Sequence, residues 1–188
     1  KYCNYNNGDF SIMSELRTNR IVPRDGLPSG SSGGIIQVKQ SVLTTAAAIA
    51  TGHNFTDSGL AVTITPTRSD SKILVMSDIT CGLSNGYGGC LRLIRNSTHI
   101  YKGAANGNRP ITTKWFSDHK GASETYSTYF PHFEFIDEPS TTSAVTYKIQ
   151  LAAYSNVVVY VNRSHAFQAG GNYDGCQASS ITAMELSG

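Results

Sequence analysis

No stretch of this sequence approaches the roughly 20 consecutive apolar residues of a helical membrane span, so insertion into a bilayer by helices is excluded. Lys1-Tyr2-Cys3-Asn4-Tyr5-Asn6-Asn7 likewise lacks the apolar core of a signal peptide, and the chain is expected either to reach its destination unaided or to have been processed already. Charge is scarce too. Asp, Glu, Lys and Arg make up 15% of the residues and the net charge is +2, too little to draw a nucleic acid. Arg17, Arg20 and Arg24 come nearest to a basic stripe, and they are expected to be solvated on an extended arm. The four cysteines, Cys3, Cys81, Cys90 and Cys176, form no C-x-x-C pair and have no His partner at zinc-finger spacing, which argues against a structural zinc site. Amphipathic helices of normal length are also missing. The one helix-tolerant stretch, Thr44-Thr45-Ala46-Ala47-Ala48-Ile49-Ala50, suits a short turn or another strand.

What is present is strand periodicity. In Val145-Thr146-Tyr147-Lys148-Ile149-Gln150-Leu151 apolar and polar residues alternate, which puts Val145, Tyr147, Ile149 and Leu151 on one buried face. Leu60-Ala61-Val62-Thr63-Ile64-Thr65 repeats the pattern, and β-rich runs follow at 71–80, 90–95, 128–136, 157–161 and 179–186. Arg95-Asn96-Ser97-Thr98 has the character of a hairpin tip between Leu91-Arg92-Leu93-Ile94 and His99-Ile100-Tyr101. Longer loops are predicted at 102–110, 117–124 and 163–179, between clusters of Gly, Ser, Asn and Asp.

Residues 1–34 differ from the rest. Pro23 and Pro28 favour extended neighbours, and Ser29-Gly30-Ser31-Ser32-Gly33-Gly34 is a hinge composition, so an arm leads into a domain at 35–188. Leu16, Ile21, Val22 and Leu27 give the arm apolar residues without a core of its own, and they are expected to pack on this domain or grip a neighbour. A domain of this length buries roughly 70% of its unfolded surface and needs no disulfide. Strand number and spacing predict an all-β, antiparallel, jelly-roll-like β-sandwich with an extended N-terminal arm. The immunoglobulin alternative lacks its Cys…Trp…Cys signature.

Several residues tempt a chemical assignment. Gly82-Leu83-Ser84-Asn85-Gly86 and Gly30-Ser31-Ser32-Gly33-Gly34 both spell Gly-x-Ser-x-Gly, but neither precedes a plausible helix, so they are expected to be turns and no catalytic residue is assigned. Histidines 53, 99, 119, 132 and 165 form no metal-binding pattern. Glu134, Asp137 and Glu138 are carboxylates that a glycoside hydrolase would need to converge, yet they more simply mark a strand end before Pro139. Asn4-Tyr5-Asn6-Asn7-Gly8-Asp9 lacks the alternating carboxylates of a calcium loop, and neither a metal nor a cofactor is expected. Asn54, Asn96 and Asn162 stand in Asn-x-Ser/Thr triplets and are expected to be bare. Cys81 and Cys90 flank a glycine-rich segment able to reverse the chain, which leaves open both a disulfide and two free thiols packed as small hydrophobes. Tyr87, Trp115, Tyr126 and Tyr173 stand in or beside predicted loops among Asn, Asp and Ser. With His119 and Asp174 they suit a ligand surface in which rings stack on sugar C–H faces, although a subunit interface has the same composition.

The order of segments resembles a module of bacteriophage tail-fibre-type virion structural proteins, marine and cyanobacterial phages among them. Met13-Ser14-Glu15-Leu16-Arg17-Thr18-Asn19-Arg20-Ile21-Val22-Pro23 is similar to their opening arm and Gly33-Gly34-Ile35-Ile36-Gln37-Val38 to the first strand. Ile64-Thr65-Pro66, Ser71-Lys72-Ile73-Leu74-Val75, residues 141–147, Val161-Asn162-Arg163 and residues 179–186 continue the likeness, which covers 13–188 and leaves residues 1–12 as an extension. The resemblance implies a non-enzymatic homotrimer on the virion exterior. Its partners would be its own copies, other virion proteins and a host-surface glycan or protein. Capsid decoration or cementing is the alternative within that class. A secreted lectin-like or tumour-necrosis-factor-like binding protein is the alternative outside it.

Overall fold

The alternation expected at 145–151 is realised: Val145, Tyr147, Ile149 and Leu151 are buried, while Thr146, Lys148 and Gln150 are half-buried on the opposite face. The outward set is tied across the sheet. Thr146 and Thr63 share a hydroxyl hydrogen bond of 2.8 Å, and Asp57 accepts from Lys148 Nζ at 2.7 Å and from Gln150 Nε2 at 2.8 Å.

The structure, a computed structural model, describes residues 34–85, 87–117, 126–167 and 174–187. The chain divides into two compact units, Lys1–Ser31 and Ser32–Gly188, and the described residues all belong to the second. Leu16, Ile21, Val22 and Leu27 of the arm lie outside the described residues.

The described residues are all-β. The strands are β1 (Ile35–Leu43), β2 (Ala47–Thr51), β3 (Thr56–Ile64), β4 (Lys72–Asp78), β5 (Cys81–Leu83), β6 (Gly89–Arg95), β7 (Thr98–Ile100), β8 (Lys114–Phe116), β9 (Thr128–Tyr129), β10 (His132–Asp137), β11 (Val145–Ala153), β12 (Val158–Val161) and β13 (Ser179–Leu186). Among these residues no helix is long and apolar enough to cross a membrane.

Every pairing is antiparallel, in sheets ordered β1-β13-β4-β10, β3-β11-β6-β7 with β8 on β6, and β2-β12-β5-β9. The first two pack as a sandwich around one cluster that joins Ile73, Val75, Phe133 and Ile181 to Leu60, Val62, Leu91 and Ile149. Each such side chain, fully buried, contributes about 1.5–3 kcal/mol relative to exposure. The third sheet extends the first: β1 leads to β2, β4 to β5, β9 to β10 and β12 to β13, in the same spatial order.

The breaks between the paired segments are held by Asn162, which is fully buried. Its backbone N–H donates to Thr80 O at 2.9 Å, its amide donates to Leu43 O at 2.7 Å and Thr45 O at 3.2 Å, and its Oδ1 accepts from the Ser179 hydroxyl at 2.5 Å. A glycan cannot be attached there in the folded chain. Asn54 and Asn96 are exposed.

Of the two forms that suited the helix-tolerant stretch, a short turn or another strand, the strand forms, as β2. Other expectations change: the run at 128–136 is broken into β9 and β10 around Pro131, which has no N–H to give a ladder. The Cys81–Cys90 disulfide is not formed, and both are buried free thiols. The glycine-rich segment between them does not fold back as a hairpin. It passes from one sheet to another, with Cys81 opposite Val161 and Tyr129 in the extension sheet and Cys90 opposite Ala152 and Trp115 in the sandwich. Burial pushes the Cys90 thiol up to about 11, and it raises Cys81 as well. The hairpin at 91–101 forms as expected, with β6 against β7 and Asn96 turning at φ 54°.

Two features of the sheet β1-β13-β4-β10 stand out. Its inner side buries Glu185, whose carboxylate accepts from Thr67 N–H at 2.7 Å and its hydroxyl at 2.6 Å, from Ser71 Oγ at 2.7 Å and from Gln37 Nε2 at 2.6 Å. Burial works to raise this carboxyl, but the donors of Thr67, Gln37 and Ser71 outweigh it and bring the pKa down to about 2. On the outer side the register aligns Val38, Met184, Leu74 and Ile136 in one apolar row across all four strands, with Val38 49% and Ile136 51% exposed.

Candidate functional site

The connections β2–β3, β5–β6, β7–β8 and β11–β12, with strand β8, line one open cleft of about 1040 Å³, a size suited to a small ligand. His53, Tyr87, Asn108, Arg109, Pro110, Thr112, Trp115 and Tyr154 form its walls.

Main-chain hydrogen bonds hold these turns against one another. Gly52, at φ 64°, donates to Val157 O at 3.2 Å and accepts from Ala153 N–H at 2.8 Å, and Ser155 N–H donates to His53 Nε2 at 3.4 Å. Tyr154 N–H donates to Gly88 O at 3.0 Å, which fixes the β11–β12 turn beside the β5–β6 connection. The Tyr154 ring meets His53 edge-on at 5.7 Å and Tyr87 at 6.2 Å, and Tyr87 N–H is satisfied by Asn85 Oδ1 at 3.1 Å.

Trp115 stands on β8 with its indole over Gly88. A Cβ at Gly88 would lie 2.5 Å from Trp115 Cζ2, and the backbone there has φ 135°, so both the space and the conformation require glycine. The segment carrying Asn108, Arg109 and Pro110 is clamped at its base. Gly103 N–H donates to Thr112 O at 3.1 Å, Thr113 Oγ1 to Tyr101 O at 2.8 Å and Arg92 Nε to Ile111 O at 3.0 Å, while the Arg92 guanidinium lies 3.5 Å over the Phe55 ring. Tyr87, Tyr154 and Trp115 remain 55%, 49% and 45% exposed, an unusual investment of large rings in solvent.

Of the residues predicted for a ligand surface, Tyr87 and Trp115 meet in this cleft. Asp174 does not line it; its carboxylate accepts the Ser164 hydroxyl. His119 and Tyr173 lie outside the described residues. His53, Asn108, Arg109, Pro110, Thr112 and Tyr154 complete the lining without having been singled out for it. Tyr154 carries the same signal as Trp115, an aromatic beside polar Ser155 and Asn156, but it directly follows β11, whose strand periodicity masks that signal in the sequence.

The other candidates disperse. Ser84 sits just beyond β5 and its Oγ accepts Val158 N–H at 2.9 Å. Asp137 points inward to Arg95 Nη1, at 2.9 and 3.0 Å, and accepts the Tyr147 hydroxyl at 2.7 Å, whereas Glu138 pairs with Lys72 at 3.1 Å on the surface. Glu134 lies on the outer side, so these three carboxylates do not converge. Among the described residues no three His, Cys, Asp or Glu side chains are grouped to hold a metal ion. No protein-family model matches the chain, and no curated protein matches it.

Proposed function

We propose that this chain is a non-enzymatic virion structural component, a homotrimeric tail-fibre or adhesin-type module of jelly-roll form that attaches to the host surface through the cleft. The observation that carries this reading is the cleft itself: three exposed rings, two from separate connections and one from strand β8, face one space held together by main-chain hydrogen bonds. Rigid aromatic anchors of this kind give contact area at low entropic cost. Trimeric presentation would multiply a weak single-site affinity by roughly a hundredfold or more.

The jelly-roll reading is supported by nested pairing. The neighbours β1/β13, β3/β11, β4/β10 and β6/β7 form a ladder from the chain ends inward, and successive rungs fall in opposite sheets. Self-association is supported by the apolar row Val38, Met184, Leu74 and Ile136. That same row favours the second reading, capsid decoration, in which a flat apolar face meets a lattice.

Adsorption of the purified full chain to host cells tests the proposal. Trp115→Ala and Tyr154→Ala are expected to reduce adsorption at least tenfold with thermal stability retained. Parent-like adsorption by both variants overturns attachment through the cleft, and imaging of intact particles then places the chain on tail or capsid.

A further inference from the structure

Arg109 supplies a charge to the cleft lining, and among the described residues no carboxylate lines the cleft with it. Among the described residues its guanidinium has no ion-pair partner, in contrast to Arg68 with Asp70 and Arg95 with Asp137. Its backbone is fixed all the same: Arg109 N–H donates to Asn106 O at 3.3 Å across a turn in which Gly107 adopts φ 57°, and Pro110 follows directly. A cation is therefore presented from a held loop, beside ring faces and neutral hydrogen-bonding groups, with its own charge unanswered.

We propose that the cleft selects an acidic saccharide, a sugar bearing a carboxylate or sulfate, whose anionic group meets Arg109 while its C–H faces rest on Trp115, Tyr87 and Tyr154. This rests on the receptor-binding reading of the cleft and adds the ligand's charge. The chemistry follows from the lining. A guanidinium offers a planar fork of N–H donors that matches a carboxylate or sulfate, and charge-assisted hydrogen bonds are roughly twice as strong as neutral ones. The Asn108 amide and the Tyr87, Tyr154 and Thr112 hydroxyls answer sugar hydroxyls, and stacking on rings is indifferent to ligand charge. Discrimination between acidic and neutral sugars thus falls to Arg109, whereas affinity common to both falls to the rings. Because the loop is exposed, the charge-dependent part weakens as salt rises.

The test is titration of the full chain with matched oligosaccharides: one carrying a carboxylate, its neutral amide counterpart and a sulfated analogue. The parent chain is expected to bind an anionic form at least about tenfold more tightly than the amide, and the better anion identifies the natural group. Arg109→Gln should lower the affinity for the anionic forms to that for the amide, so that the preference disappears, and Trp115→Ala should weaken all three. Equal binding of acid and amide, a preference that survives Arg109→Gln, or no binding of any of the three overturns the proposal. Receptor binding through the rings itself would still stand if Trp115→Ala abolished adsorption while Arg109→Gln left it intact. Arg109 is exposed, so its substitution should leave folding intact, and a thermal melt of R109Q checks this.

Discussion

Asn162 donates its side-chain amide to the main-chain oxygen of Leu43, 119 positions away in sequence, at 2.7 Å. With its bonds to Thr45, Thr80 and Ser179 this ties the point where β1 gives way to β2, β4 to β5 and β12 to β13. The positive φ of 57° that Asn tolerates aims its side chain there. Each buried polar group left unsatisfied costs about 1–3 kcal/mol. Asn162→Ala strands the oxygens of Leu43 and Thr45 and the Ser179 hydroxyl, so a loss of about 3 kcal/mol or more is expected, lowering the melting temperature by roughly 10 °C for a domain of this size. Asn162→Asp should be no better, since its carboxylate would face the two carbonyls. A melt within about 2 °C of the parent for either variant would refute the staple.

Glu185 predicts an acid transition. Its carboxyl titrates at about 2 in the fold against an ordinary value of 4.5, so its contribution is complete above pH 4.5 and is lost as pH falls towards 2. That difference corresponds to roughly 3 kcal/mol. Denaturant unfolding followed at stepped pH should show stability declining across that window. Glu185→Gln should be less stable at pH 7, because the donors of Thr67 and Ser71 then meet a neutral oxygen in place of a carboxylate and Gln37 Nε2 meets an amide nitrogen, and its decline below pH 4.5 should be shallower. A profile identical to the parent's in slope would remove Glu185 from the account.

Trp115 is the single tryptophan of the chain, so its emission reports on the cleft directly. Gly88→Ala forces a Cβ into the indole at a backbone conformation that costs a side chain about 1–3 kcal/mol. A shift of the emission maximum and loss of ligand binding are expected in a variant that still unfolds cooperatively. Unchanged emission would mean that the indole does not rest on Gly88.

Strand identity was legible because burial alternates with period two, as over residues 145–151 of β11, and the hairpin turning at Asn96 was legible because its turn chemistry is local. The strand breaks were not. They depend on Asn162 reaching Leu43, and a buried asparagine in an Asn-Arg-Ser triplet looks like a surface acceptor when read alone. Two of the four aromatics that stand among polar loop residues, Tyr87 and Trp115, line the cleft. Arg109 and His53 join them through loop packing that leaves no periodic trace. Sequence left the Cys81–Cys90 pair open between a disulfide and free thiols for a similar reason, since the eight residues between them suffice to change sheets as readily as to reverse a strand.

The apolar row on the outer face gives the last prediction. Ile136 is 51% exposed, and its neighbours two positions away along the strand are Glu134 and Glu138. A lysine at 136 would meet those carboxylates on the isolated chain, so Ile136→Lys should alter monomer stability by no more than about 0.5 kcal/mol. In an association that buries the row beside Leu74 and Met184, the same lysine brings a charge into an apolar contact and weakens it strongly. Light scattering at micromolar concentration should therefore give a trimer mass for the parent chain and a monomer mass for I136K, with melting of the dissociated variant still cooperative. A parent that is itself monomeric removes self-association, whereas a trimeric I136K moves the interface off this face.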